Sequence, residues 1–139
     1  MPDAPSRRGW LGRAGHKRHT LGWQAERFAA RRLSGLGYRV LARNVSTPVG
    51  EIDLIAEHRD FLVFIEVRSR REDSPVRPRE TITVRKQRHI VRCAESYMRA
   101  KNLLNRSYRF DVVEVVFDDN QRVKDFGVIE AALSAPRRR

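Results

Sequence analysis

Apolar and polar positions alternate most informatively between Gly50 and Arg70, GEIDLIAEHRDFLVFIEVRSR. Side chains on a strand alternate with a period of two. The pattern therefore predicts two strands, 51–57 and 61–70, joined by the polar turn His58–Arg59–Asp60. On the first strand Ile52, Leu54 and Ala56 share one face, and Glu51, Asp53 and Ile55 the other. On the second, Phe61, Val63, Ile65 and Val67 oppose Leu62, Phe64, Glu66 and Arg68. The run 61–65 is apolar on both faces, which predicts a central strand covered on both sides. Ionisable groups seldom enter such a strand without a partner. Asp53, Glu66 and Arg68 are thus the residues that need a reason.

The remaining elements follow from the same patterning. Leu21, Ala25, Phe28, Ala29, Leu33 and Leu36 recur at helical spacing, predicting a helix over 20–37 that stops in the Gly35/Gly37 region. Glu26 lies at the border of that stripe, where a solvated flank residue is the plainer reading. Residues 38–45 read as a strand with Tyr38, Val40 and Ala42 on one face, and Ser46–Thr47–Pro48 punctuates it. Prolines and mixed charges over 71–79 predict a loop, either a solvated connector or a cover for a bound nucleic-acid strand. A second helix is expected from Thr83, a plausible N-cap, to about Lys101, burying Val84, Ile90, Val91, Ala94, Tyr97 and Met98. Strands at 108–117 and near 123–126 follow, with a brief closing element over 128–133. The order α-β-β-β-α-β, with a further short strand, predicts an α/β protein with a mixed central sheet flanked by helices.

Length and charge narrow the picture. The 139 residues suit one domain, 20–134, between a basic arm at 1–19 and a basic tail at 135–139. No apolar run approaches the roughly 18 residues of a membrane span. The opening segment has charges but no apolar core of a signal peptide, so a cytoplasmic location is the default expectation. A single cysteine, Cys93, excludes an internal disulfide and a cysteine-based zinc site. The net charge of +12 favours acidic partners, nucleic acid first among them. Solubility tails are the bland alternative, because the arm and tail carry more than half of that excess.

The central hairpin also suggests chemistry. Neighbouring strands lie about 4.8 Å apart and i, i+2 side chains about 6.6 Å apart, so Asp53 and Glu66 can chelate one divalent cation. Hard carboxylate donors suit Mg²⁺ or Mn²⁺. A cross-strand salt bridge among the same residues is the alternative. Lys86, Gln87, Arg88 and His89 crowd the first turns of the second helix, where the helix dipole favours anions. Cys93 reads as a core or border residue. His89 reads as a surface residue or phosphate contact, and His16 and His19 as solvated. Trp10 and Trp23 are weak candidates for base stacking. Asp111 opens a strand and is a candidate for the acidic cluster, with a strand-end salt bridge to Arg109-side neighbours as the plainer reading.

Taken together, the segments TLGWQAERFAARRLSGLGYRVLARN, GEIDLIA, VFIEVRSR, TVRKQRHIVRCAESYM and YRFDVVEV resemble, in order, the YraN-type family of small bacterial proteins. The resemblance covers about residues 20–134. It implies a restriction-endonuclease-like fold and the PD-(D/E)xK superfamily core, similar to Holliday-junction resolvases. By position it implies catalytic Asp53, Glu66 and Arg68, and a metal site of Glu26, Asp53 and Glu66 for Mg²⁺ or Mn²⁺. Arg68, Arg70, Lys86, Gln87 and Arg88 are then the expected nucleic-acid contacts, with Glu51 flanking the site. DNA is expected ahead of RNA, with branched or damaged DNA as candidate substrates. A homodimer is a further expectation, because resolvase-like relatives often work as dimers. One departure stands out: Arg68 occupies the lysine slot. Arginine effectively cannot deprotonate, although its planar fork binds phosphate at two points. The resemblance therefore implies either a DNA endonuclease or a nucleic-acid-binding protein on a degenerate nuclease scaffold.

Overall fold

The computed structural model describes residues 20–74 and 82–133; the basic arm, most of the proline-containing loop and the basic tail lie outside them. The first helix, α1 (Leu21–Gly35), begins where Thr20 accepts a hydrogen bond from the Trp23 amide at 3.1 Å. It ends in a paired C-terminal cap. The Gly37 amide donates to the Ser34 carbonyl and the Tyr38 amide to the Leu33 carbonyl. Gly37 supplies the left-handed backbone this needs, with φ +93°. Ala25, Ala29 and Leu33 are fully buried, and Leu21 and Phe28 pack at their margin. Leu36, expected in the same stripe, is instead the exposed capping residue.

Five strands form one sheet in the order β1 (Arg39–Ser46), β2 (Glu51–His58), β3 (Phe61–Arg71), β4 (Tyr108–Phe117) and β5 (Val123–Ile129). Only β3 and β4 are parallel, because the second helix, α2 (Val84–Ala100), crosses over between them. The β2–β3 hairpin turns on Arg59 and Asp60, with φ of +50° and +68°. Helix α1 covers one face of the sheet through Leu54, Ala56, Val63, Ile65, Val113 and Val115. Helix α2 covers the other through Ile55, Leu62, Phe64 and Phe110. This three-layered mixed α/β arrangement is that of the restriction-endonuclease-like fold. No helix among the described residues is long and apolar enough to cross a membrane.

Two face assignments change where the ladder is irregular. The β1–β2 register shifts between Val40 and Ala42. Val40 therefore stays on the α1 side, while Leu41 and Ala42 both pack on the α2 side. Ile52, expected beside Leu54 and Ala56, packs with Ile55 on the α2 side. The cause lies in the pairing. The β2–β3 ladder ends at Leu54↔Ile65, and beyond it β2 leaves β3 and loses strict alternation. Val84, expected in the buried stripe of α2, is 61% exposed at the first helical position. Strand β5 runs on to Ile129 and so absorbs the start of the expected closing element.

Candidate nuclease-like site

The point where β2 parts from β3 is where the sequence-marked acids meet. Strand β3 continues beside β4 while the Asp53 side chain takes over the vacated edge: its Oδ2 accepts the Val67 amide at 2.8 Å. That bond fixes the carboxylate beside Glu66, the next residue back along β3. Burial, then the neighbouring Glu66 and Glu26 carboxylates, push the Asp53 pKa well above the usual carboxylate range. The Val67 amide and Lys86 only partly oppose this. Asp53 thus lies in the field of two further carboxylates. Among the described residues Asp53 forms no salt bridge, so the cross-strand ion pair is not what the hairpin builds.

Each of the other groups has a defined support. Glu26 projects from α1, and its Oε1 accepts from Asn44 Nδ2 at 2.7 Å. Asn44 is 8% exposed within β1 and has φ +50°, a conformation that asparagine tolerates better than most residues. Its role was missed in the sequence, where the only signal is a turn-type residue inside an apolar strand. On the α2 side, Glu66 Oε2 lies 3.4 Å from Arg68 Nη1 and 3.6 Å from Lys86 Nζ. Strand alternation brings Arg68 there. Lys86 arrives because Thr83 caps α2 by accepting the Lys86 amide itself at 3.1 Å.

The remaining expected contacts are less closely drawn in. Arg70 shares the Glu66 and Arg68 face by alternation; its Nη1 donates to the Arg71 carbonyl at 3.2 Å, and its buried Nε has no hydrogen-bond partner among the described residues. Gln87 donates to the Ile82 carbonyl at 3.3 Å and lines a separate cavity with Val112, Ile129 and Leu133. Arg88 is exposed on α2. Glu51 is exposed at the rim of a crevice that Asp53, Glu66, Ile90 and Cys93 also line.

His89, expected at the surface, is half-buried. Its ring lies over Gly50, where a Cβ would come within 2.6 Å of Nε2, and Nε2 lies 3.7 Å from Cys93 Sγ. Cys93 is core, 1% exposed, and burial raises its thiol pKa. The Thr47–Gly50 turn below this ring is closed by Thr47 Oγ1, which accepts the Gly50 amide at 3.0 Å and donates to its carbonyl at 2.7 Å. Gly50 therefore lets α2 sit tightly against the turn that leads into Asp53. Trp23 lies on the α1 side, with the Arg27 guanidinium 4.8 Å from its ring centroid.

Asp111 belongs elsewhere. It is 1% exposed and bonds Tyr38 Oη at 2.7 Å, Arg109 at 3.0 and 3.1 Å, and the Ala131 amide at 3.0 Å. This is the salt bridge expected of it, elaborated into a network.

The donor set fits a hard divalent cation. Asp53 and Glu66 offer carboxylate oxygens, Glu26 adds negative charge, and a cation there would offset the burial and the neighbouring carboxylates that raise Asp53. No three or more His, Cys, Asp or Glu side chains among the described residues form a ready-made cage. Mg²⁺ is commonly held by only one or two carboxylates, with water and phosphate completing its shell.

Residues 25–115 match the model of a family described as "Uncharacterised protein family UPF0102". The UPF0102 protein of Desulfosudis oleivorans is 44% identical over 120 residues, covering 86% of this chain and 98% of that protein. That of Moorella thermoacetica is 41% identical over 116 residues, covering 84% and 97%. That of Caldicellulosiruptor saccharolyticus is 40% identical over 113 residues, covering 81% and 96%. The matched span takes in Glu26, Asn44, Gly50, Asp53, Glu66, Arg68 and Lys86, and by this similarity the chain belongs to the UPF0102 family, the YraN-type family that its motifs resemble.

Proposed function

We propose that this protein is a metal-dependent endonuclease that hydrolyses phosphodiester bonds in DNA. The observation that carries the reading is the meeting of Asp53 with Glu66 at the fork between β2 and β3, with Arg68 and Lys86 beside Glu66. Asp53, Glu66 and Glu26 would hold Mg²⁺ or Mn²⁺. The ion, when bound, supplies Lewis-acid polarisation of a phosphoryl oxygen and lowers the pKa of water. Hydrolysis needs a water oxygen to attack phosphorus, one ester P–O bond to break, and a proton to reach the departing oxygen. Arg68 serves in this scheme as a fixed cation on the phosphoryl group. Lys86, 3.6 Å from Glu66 Oε2, is the amine of the cluster, a group that, unlike a guanidinium, has a proton to give. Arginine in the lysine slot then costs less than the motif alone implies, because α2 supplies a lysine.

The salt bridge between Arg68 and Glu66 supports a second reading, in which the scaffold binds nucleic acid without cutting it. Both are tested by incubating labelled duplex, single-stranded and four-way-junction DNA with Mg²⁺, Mn²⁺ or EDTA. Metal-dependent cleavage by the wild type, lost in Glu66→Ala and Lys86→Met, is the expected result. Binding without cleavage, with activity gained in Arg68→Lys, would establish the second reading. Failure of every variant to cut with either metal would overturn the first.

A further inference from the structure

Helix α2 carries a line of cations that its own stability does not favour. Arg85, Arg88, Arg92 and Arg99 are all exposed, at spacings of three, four and seven residues, so they share one solvent-facing side. Like charges three or four apart on a helix repel. Arg85, Lys86 and Arg88 also stand at the N-terminal end, where the helix dipole already leaves positive charge, and the first turn has no acid to offset them. Glu95 is the one acid on the helix, and none of the four arginines forms an ion pair with a described residue. Several cations elsewhere do meet an acid: Arg39 and Arg106 both meet Glu57, and Arg109 meets Asp111. The opposite face of α2 is core, with Val91, Ala94 and Met98 buried, so the row cannot turn inward.

The row starts beside the candidate site. Lys86, next to Arg85, reaches Glu66 at 3.6 Å. From Arg85 to Arg99 the helix rises about 21 Å. That is about six base-pair steps of duplex at 3.4 Å each.

We propose that the Arg85–Arg88–Arg92–Arg99 side of α2 is a track for the phosphate backbone of duplex DNA, leading away from the carboxylate cluster on one side. The proposal rests on the nucleic-acid reading above, though not on turnover. It adds Arg92 and Arg99, which lie beyond the site, as determinants of affinity. The occupant is a duplex because the row is a regular, one-sided array of charge matched to a regular polyanion.

The test is the affinity for a labelled 30-base-pair duplex in EDTA, followed across salt concentration. Arg92→Gln and Arg99→Gln should each reduce the slope of log K against log salt by about 0.9, and the double variant by about twice that. Lysine at either position should keep the slope. Arg31→Gln is the control: this exposed arginine is on α1, on the other side of the sheet, and should leave the slope unchanged. Circular dichroism melting should show that the glutamine variants stay folded. An equal loss of slope in Arg31→Gln would mean diffuse attraction and overturn the track. So would an unchanged slope in the double variant, or an effect confined to single strands. A wild type that binds no duplex would remove both the track and the nucleic-acid reading, whereas one that binds without cutting leaves the track standing.

Discussion

Gly50 shows how one residue's lack of a side chain can set the geometry of a site. The His89 ring occupies the place of its missing Cβ, with Nε2 2.6 Å and Cys93 Sγ 3.2 Å from that position. Gly50→Ala must therefore push α2 away from the Thr47–Gly50 turn or force His89 into another rotamer. Overpacking of this kind costs about 1–3 kcal/mol. The variant should melt at lower temperature and bind Mn²⁺ more weakly, as read by the ion's electron paramagnetic resonance signal. His89→Ala in the same chain should restore most of both, giving a strongly non-additive double-mutant cycle. Additive effects would show that the ring and the glycine are not in conflict. In the sequence, Gly50 was legible only as the start of the GEID motif. The reason for a glycine there lies on α2, in a residue distant along the chain that only tertiary packing brings near. Asn44 was illegible for a similar reason, since its partner Glu26 is on another element.

At the scale of elements, periodicity revealed nearly every strand and helix, because each buries a well-defined face. It placed 108–117 within the bounds observed and put both helix starts at their caps. It failed where a ladder is irregular. The shift at Val40/Ala42 and the parting of β2 from β3 arise from pairing between strands, which alternation within one strand does not encode. The second of these is also what makes the site, since a fully paired Asp53 would not have the Val67 amide to accept. Helix α2 illustrates the converse, a local signal with consequences for the site. Thr83 was readable as an N-cap, and it bonds the amide of Lys86, the residue that reaches Glu66. Thr83→Ala should cost about 1 kcal/mol in chemical denaturation. Thr83→Ser should cost little, because serine caps equally well. If Lys86 acts on substrate from a fixed first turn, the alanine variant should also lose more cleavage rate than substrate affinity.

On the scale of the whole molecule, two clusters of ionisable groups respond to pH in opposite senses. At the β2–β3 turn, His58 is buried and stacked on Tyr38 with 4.0 Å between ring centroids, and its Nδ1 lies 2.6 Å from Arg109 Nη2. Arg109 donates there only to an unprotonated nitrogen, so the imidazole must be neutral in this arrangement. Burial first, then Arg109 and Arg59, lower its pKa below the ordinary 6.5, while Glu130 and Asp111 act the other way. Between the lowered value and 6.5 the unfolded chain binds more protons than the folded one. Stability therefore rises with pH through that window and is lost as pH falls below about 6.5. Asp53 has the opposite effect: its raised pKa keeps the folded chain more protonated than the unfolded one, so its contribution declines as pH rises from the ordinary carboxylate range. A single stability curve would mix the two. The difference between wild type and His58→Gln isolates the first, because the Asp53 contribution is common to both and cancels. That difference should be flat above pH 7 and should shift in favour of the glutamine variant as pH falls toward 5, measured by urea denaturation at each pH. A difference independent of pH would mean that His58 is not held neutral. Breaking the same network through its cation should act at every pH. Arg109→Ala leaves Asp111 buried without its bidentate partner, and such a loss costs about 3–5 kcal/mol. Tyr38, just before β1, and Asp111 of β4, 73 residues apart, share a hydrogen bond in this network, so the loss of Arg109 loosens a side-chain tie that spans the two strands between β1 and β4.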